Sequence, residues 1–141
     1  MLVVVPHKFT GESTGLGPSE KECTVPARFK DLCLDAADDR ALADWWCTAM
    51  GYRLKLGTKG DYEGKWIGAI EDPTGQGPLI WISLVPETKS LKNRMHHDVY
   101  GDVQELLALG ATLVRARDEE IQWDVLADPE GNEFCVFTPE S

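Results

Sequence analysis

The stretch NRMHHDV, residues 93–99, places His96, His97 and Asp98 at three consecutive positions. Imidazole and carboxylate groups two positions apart are typical of metal sites, because both side chains bind zinc or iron. On a strand, His96 and Asp98 would share one face, whereas His97 would lie on the opposite face, toward a helix. The alternative is that His96 and Asp98 form a polar pair, hydrogen-bonded to neighbouring groups or to water.

The thiols are the second group that could do chemistry. The four cysteines, Cys23, Cys33, Cys47 and Cys135, include no C-x-x-C pair, and the segment MLVVV lacks the basic lead and long apolar core of a signal peptide. This usage predicts free thiols in a reducing cytoplasm. Cys135 would be a nucleophile only beside a cationic neighbour, which His96 could supply from a paired strand. A buried, inert thiol is the alternative.

Charge and length limit the partners of the chain. Its 141 residues suit one domain, or two small halves that share a core, and the net charge is −10. Such a charge repels phosphate backbones, so we predict no nucleic-acid partner. We also predict no membrane partner, because no apolar run approaches the roughly 20 residues that a membrane span needs.

Two copies of one pattern position these residues. EDPTGQGPLIWI (71–82) and ADPEGNEFCVF (127–137) each contain an Asp-Pro-x-Gly turn followed by an apolar run. Upstream of each turn lies a helix pattern that ends in glycine, WWCTAMGYRL and QELLALGATL. The same signals in the same order predict a duplicated unit, with modules 27–86 and 94–139 and the linker PETKSLKN between them.

Each copy predicts the order β-α-β-β-β. The first helix has an apolar stripe through Trp45 and Trp46, with Asp38 or Asp39 as its cap, and Asp102 caps the second helix. The predicted strands are Phe29–Leu34, Tyr52–Leu56, Trp66–Ile70 and Leu79–Val85, then Met95–Val99, Thr112–Arg117, Trp123–Ala127 and Phe134–Phe137.

Packing of the two modules side by side predicts an α+β fold. A curved mixed sheet would surround a cleft, and the helices would cover its convex face. Strand alternation directs six side chains toward the cleft: Asp31, Cys33, His96, Asp98, Cys135 and Phe137. Residues 1–26 fit neither copy and are predicted to be a flexible extension, in which LVVV either adds an edge strand or is disordered.

Aromatic residues on the predicted strands could bind a flat or hydrophobic ligand. These are Trp66, Trp81 and Trp123, together with Tyr100 and Phe137. For each of them, packing in the core is the alternative.

Several stretches resemble the glyoxalase/bleomycin-resistance/dioxygenase superfamily, also called vicinal oxygen chelate proteins, and in particular its actinobacterial glyoxalase-like branch. They are FKDLCLDAADDRALADWW, VPETKSLKNRMHHDV, LLALGATLVR and LADPEGNEFCVF. The resemblance implies one glyoxalase-like domain over residues 27–141, built from the two modules. The superfamily includes lyases, epimerases, ring-cleaving dioxygenases and proteins that sequester antibiotics, so its fold does not fix the activity.

The resemblance also implies where a metal would bind. Metal-using members carry His, Gln or Glu on the first strand of each unit and a carboxylate on each last strand. The corresponding positions here are Asp31, His96 and Cys135, and the fourth falls in LIWISL, where Ser83 is the only polar side chain. Asp, His and Cys are competent ligands for divalent zinc, iron, nickel or manganese, but the usual glutamate is missing. A bound metal and no cofactor at all therefore both stay open.

These observations predict a glyoxalase-like protein that binds a small organic molecule, such as an antibiotic or other secondary metabolite, without a complete catalytic metal site. The predicted ligand contacts are Asp31, Cys33, Trp81, Ser83, Tyr100, Trp123 and Phe137. The alternative is a metal-dependent lyase, isomerase or dioxygenase with His96, Asp98 and Cys135 as catalytic residues. An interaction module whose cleft is filled by its own aromatic side chains is a third class. We expect a cytoplasmic homodimer.

Overall fold

The computed structural model describes residues 25–139. The predicted extension, residues 1–26, lies outside these residues except for Val25 and Pro26. The first module contains β1 (Leu32–Ala36), α1 (Asp39–Met50), β2 (Arg53–Leu56), β3 (Trp66–Glu71) and β4 (Ile80–Leu84). The second contains β5 (Asp98–Tyr100), α2 (Val103–Leu109), β6 (Thr112–Arg115), β7 (Asp124–Ala127) and β8 (Glu133–Phe137).

The strands form two four-stranded mixed sheets with the same topology. Their orders are β1-β4-β3-β2 and β5-β8-β7-β6. In each sheet the first and last strands of the module pair in parallel, and the other pairs are antiparallel. This arrangement confirms the predicted α+β fold of paired βαβββ modules.

Both helices begin and end where the sequence predicts. The side chain of Asp38 accepts a hydrogen bond from the Ala41 N–H, and that of Asp102 accepts one from the Glu105 N–H. Each cap satisfies a backbone donor that has no partner inside the helix. Gly51 and Gly110 end the helices in the left-handed conformation, which glycine adopts without a steric penalty.

Strand register separates the core face of the first sheet from its concave face. Leu32, Ile80, Ile70 and Leu54 are successive partners across β1, β4, β3 and β2, and all contribute to the core under α1. Since partners in a ladder point to the same side, the neighbouring row begins with Cys33 and Trp81 on the concave side. The same alternation governs the second sheet.

A single core joins the two modules. The Trp46 ring of α1 packs edge-on against Phe134 of β8, with centroids 5.0 Å apart, and its Nε1–H donates to Asp128 Oδ2 at 3.0 Å. In return, the carboxylate of Glu130 accepts from the backbone N–H groups of Ala37 and Asp38 at the start of α1. Among residues 25–139, no helix is both long and apolar enough to cross a bilayer.

The predicted first strand of each module starts too early. Phe29 is 75% exposed and β1 begins at Leu32, while Met95 is 82% exposed and β5 begins at Asp98. The predicted strand starts at Phe29 and Met95 are therefore wrong. Before β5, His97 accepts a backbone hydrogen bond from Cys135 of β8, and farther upstream the Asn93 N–H donates to the side chain of Glu133.

Candidate functional site

Strands β5 and β8 bring His96, Asp98 and Cys135 together. Asp98 is the direct partner of Cys135 in the parallel ladder, so their side chains share the concave face. His96 Nδ1 lies 3.0 Å from Asp98 Oδ1 and 3.8 Å from Cys135 Sγ. One ligand atom from each of the three residues lies within 4.8 Å of the others.

Hydrogen bonding and burial define the electrostatics of this group. His96 Nδ1 and Asp98 Oδ1 are within hydrogen-bond distance, and an ionised carboxylate at this position accepts from Nδ1–H. Burial, and then the negative charge of Asp98, raise the pKa of the Cys135 thiol. The apo group therefore favours a protonated thiol, which does not support a nucleophilic role for Cys135.

The three residues lie in a cleft of about 390 Å³ on the concave face of the second sheet. Val114, Ile121, Trp123, Val125 and Phe137 form its apolar wall. The rings of Trp123 and Phe137 lie 5.6 Å apart with 32° between their planes. The cleft thus combines an aromatic wall with a polar group that contains one imidazole, one carboxylate and one thiol.

The predicted site residues of the first module lie in a different environment. Asp31 accepts from Trp81 Nε1–H at 3.0 Å and pairs with Lys30, and Cys33 Sγ lies 3.2 Å from Ser83 Oγ. Asp31 is therefore outside the group of ligand atoms formed by His96, Asp98 and Cys135. The structure brings together the three residues predicted as catalytic, and it brings together only two of the three positions implied by the resemblance.

Three further residues considered in the sequence analysis, Tyr100, Trp66 and His97, do not line this cleft. Tyr100 is 78% exposed and lines a groove between the two helices. Trp66 packs against the core near Arg40 of α1, so it does not border the cleft. His97 packs edge-on against Trp46 with centroids 5.1 Å apart, as expected of a helix-contacting histidine, and burial lowers its pKa.

Several lining residues were absent from the predicted set. They include Lys92, Arg115, Ile121, Val125 and Glu133. Val125 and Glu133 could have been found by alternation, because Val125 is the ladder partner of Cys135 and Glu133 precedes Cys135 by two positions on the same strand face. Lys92 and Ile121 lie outside the strands, where the sequence carries no such signal.

Comparisons with known proteins agree with this fold. The family model described as "Glyoxalase-like domain" matches residues 31–137. A hypothetical protein from S. aureus is 10% identical with a TM-score of 0.56, and the match covers 80% of this chain and 95% of that one. A glyoxalase/bleomycin resistance protein/dioxygenase family enzyme from Burkholderia phytofirmans PsJN is 16% identical with a TM-score of 0.53, covering 76% and 94%. A member of the same superfamily from Sphaerobacter thermophilus is 13% identical with a TM-score of 0.53, covering 80% and 98%. A search of functionally curated proteins finds no significant match.

Proposed function

Because the chain belongs to the glyoxalase-like domain family, we propose that it binds a small organic molecule in the cleft of its second module. The observation that carries the proposal is the cleft itself, about 390 Å³ in volume, with Trp123 and Phe137 on one wall and His96, Asp98 and Cys135 beside them. This volume lies within the range of small-molecule sites, which combine apolar walls with a few placed polar groups.

The geometry favours a ligand with a flat apolar part and a polar group, such as an aromatic antibiotic or another secondary metabolite. The flat part would stack on the Trp123 and Phe137 rings. The polar group would contact the His96 ring, which lies beside Asp98, and the Cys135 thiol, which is a weak donor. This function is binding alone and involves no chemical reaction of the ligand.

A thermal-shift screen of aromatic antibiotics and metabolites, followed by calorimetry on the compounds that raise the melting temperature, tests the proposal. We expect Trp123→Ala to weaken binding by about tenfold or more, since loss of a stacked aromatic costs on the order of 1–3 kcal/mol. Trp81→Ala, on the concave face of the first module, is the matched control and leaves affinity unchanged. A screen without binders, or binders that depend on Trp81 and not on Trp123, contradicts the proposal.

A second candidate is a metal-dependent lyase, isomerase or dioxygenase, and the grouping of His96, Asp98 and Cys135 favours it. These donors fit zinc or iron chemically, and three protein ligands with an open position are typical of catalytic zinc sites. A metal bound there would act as a Lewis acid on substrate oxygens. Asp98, rather than Asp31, would be the carboxylate ligand.

Elemental analysis of the purified protein distinguishes the two candidates. One metal equivalent per chain that is lost in His96→Ala, Asp98→Ala and Cys135→Ser but kept in Asp31→Ala supports the enzyme. Metal-free protein that still binds an organic ligand supports the binding protein. The homodimer and the cytoplasmic location stay predictions, and sedimentation equilibrium tests the former.

A further inference from the structure

One carboxylate of β8 ties the linker (residues 86–93) to the second sheet. Glu133 Oε1 accepts from Lys89 Nζ at 2.8 Å, and Oε2 accepts from the Asn93 backbone N–H at 2.8 Å. The side chains of Lys89 and Glu133 are only 17% and 15% exposed. Lys89 Nζ also donates to the Leu91 carbonyl at 2.6 Å, so the ammonium holds the linker backbone as well as Glu133.

Apolar packing contributes little between Lys89 and Met95. Leu91 and Met95 are each 82% exposed, and Asn93 adds a 3.4 Å side-chain contact to Asn132. Within the part of the chain that the structure describes, only the end of the segment has other ties: His96 contacts Asp98 and Cys135, and His97 packs on Trp46 and accepts from the Cys135 N–H. Exposed segments with few apolar contacts open at low free-energy cost. The position of the segment between Lys89 and His97 therefore depends on Glu133.

This segment carries two of the polar side chains that line the cleft, Lys92 and His96. Glu133 also lines the cleft, but both of its oxygens already have donors. Burial by itself raises the pKa of Glu133, and the hydrogen bonds from Lys89 and Asn93 outweigh it and bring the pKa to about 2. Glu133 is thus ionised at neutral pH, with its charge balanced by Lys89.

We propose that Glu133 is a positioning residue of the cleft: it anchors the linker so that Lys92 and His96 face Cys135, and it does not itself contact the ligand. The proposal rests on the function proposed above, since it assigns the anchor for that cleft. Its consequence is that loss of the anchor exposes Cys135 and changes the surroundings of His96 before the domain unfolds.

The test measures the rate at which iodoacetamide alkylates Cys135, followed by peptide mass spectrometry. This rate reports whether the linker is anchored, and the measurement needs no ligand. The variants are Glu133→Gln and Lys89→Met, with Lys89→Arg as the conservative replacement. Glu71→Gln is the matched control, because Glu71 accepts from Lys55 at 3.2 Å in a comparable ion pair of the first module. Near-UV circular dichroism and thermal midpoints establish that each variant is folded.

In Glu133→Gln and Lys89→Met we expect the Cys135 alkylation rate to rise about tenfold or more, as for a local opening. The NMR chemical shifts of the His96 ring should change in the same two variants, because its surroundings change. Lys89→Arg and Glu71→Gln should retain the wild-type alkylation rate and the wild-type chemical shifts of the His96 ring, even where the thermal midpoint falls. If Glu133→Gln does not fold, Lys89→Met, which leaves the carboxylate in place, carries the test.

An unchanged Cys135 rate in a folded Lys89→Met or Glu133→Gln overturns the proposal, as does an equal rise in Glu71→Gln. These results would leave the ligand screen unaffected. Conversely, a screen without binders would contradict the proposed function while a specific rise in Cys135 reactivity still established the anchor. The two failures are therefore distinguishable.

Discussion

The two modules share a fold and a strand register but differ where their first and last strands meet. In the first module Cys33 of β1 is the ladder partner of Trp81, and in the second module Asp98 of β5 is the ladder partner of Cys135. In the first module an indole N–H donates to a carboxylate at 3.0 Å. In the second, imidazole Nδ1 and thiol Sγ lie 3.8 Å apart.

This difference explains why the candidate site belongs to one module. Indole nitrogen has a donor and no free lone pair, so Trp81 cannot serve as a ligand, and its N–H donates to Oδ2 of Asp31. Cys135 is smaller and leaves space beside Trp123 and Phe137. The two modules thus share a scaffold while their concave faces carry different chemistry.

The two Asp-Pro-x-Gly turns differ in a similar way, and this difference gives the largest expected effect. Asp128 is 2% exposed and accepts from Trp46 Nε1–H, from Asn132 and from the Glu130 N–H. We expect Asp128→Ala to lower the free energy of unfolding by about 3–5 kcal/mol, because several buried donors lose their acceptor. Asp72→Ala should cost clearly less, since the Thr74 and Gly77 donors can bind water instead. Urea denaturation of both variants measures this, and equal losses would contradict the comparison.

The second-largest expected difference between the two modules concerns their contributions to stability in acid. The pKa of Glu133 is lowered to about 2 from its ordinary value of 4.5, so the folded state gives up this proton more readily than the unfolded chain. The resulting stability is fully present above about pH 4.5 and is lost as the pH falls toward 2, by roughly 2–3 kcal/mol after allowance for screening.

In Glu133→Gln, the free energy of unfolding should therefore fall less between pH 4.5 and pH 2 than it does in the wild type. Glu71→Gln should reduce this fall less, because Glu71 is 28% exposed and its partner Lys55 is 36% exposed. Urea midpoints measured from pH 7 to pH 2 provide the data. A wild-type profile with no loss below pH 4.5 would contradict the prediction.

The sequence predicted the scaffold well for identifiable reasons. Asp38, Gly51, Asp102 and Gly110 are local capping signals that act over a few residues, and the structure uses all four. The apolar alternation of β4 and β8 is equally local. These signals required no knowledge of which segments pack together.

The site was predictable only where alternation sufficed. Strand alternation predicted that the side chains of Asp98 and Cys135 point to the same face of the sheet. In the structure the two residues are ladder partners on the neighbouring strands β5 and β8. By contrast, whether Asp31 joins them depends on how the sheets are placed and on the competing indole of Trp81, neither of which is encoded near Asp31. The role of Glu133 in holding the linker depends on contacts 44 and 40 positions away, to Lys89 and Asn93.

Thiol reactivity should separate the two concave faces directly. Cys33 is exposed, whereas Cys135 is 7% exposed and burial raises its pKa. We expect iodoacetamide at pH 8 to alkylate Cys33 at least about tenfold faster than Cys135, since only the accessible thiolate reacts. Peptide mass spectrometry resolves the two sites in one sample. Equal rates would mean that the second cleft does not protect its thiol.

The smallest expected effect concerns the hydrogen bond that Trp81 donates to Asp31. Trp81→Phe removes the indole N–H but keeps an aromatic ring on the concave face of the first module, so the thermal midpoint should change only slightly. Hydrogen bonds from Lys30 and then from Trp81 lower the pKa of Asp31, so the variant should move this pKa back toward its ordinary value, which NMR titration can follow. The reactivity of Cys135 should stay at the wild-type rate, because Trp81 and Cys135 belong to separate sheets. A change at Cys135 would instead show that the two concave faces form one coupled site.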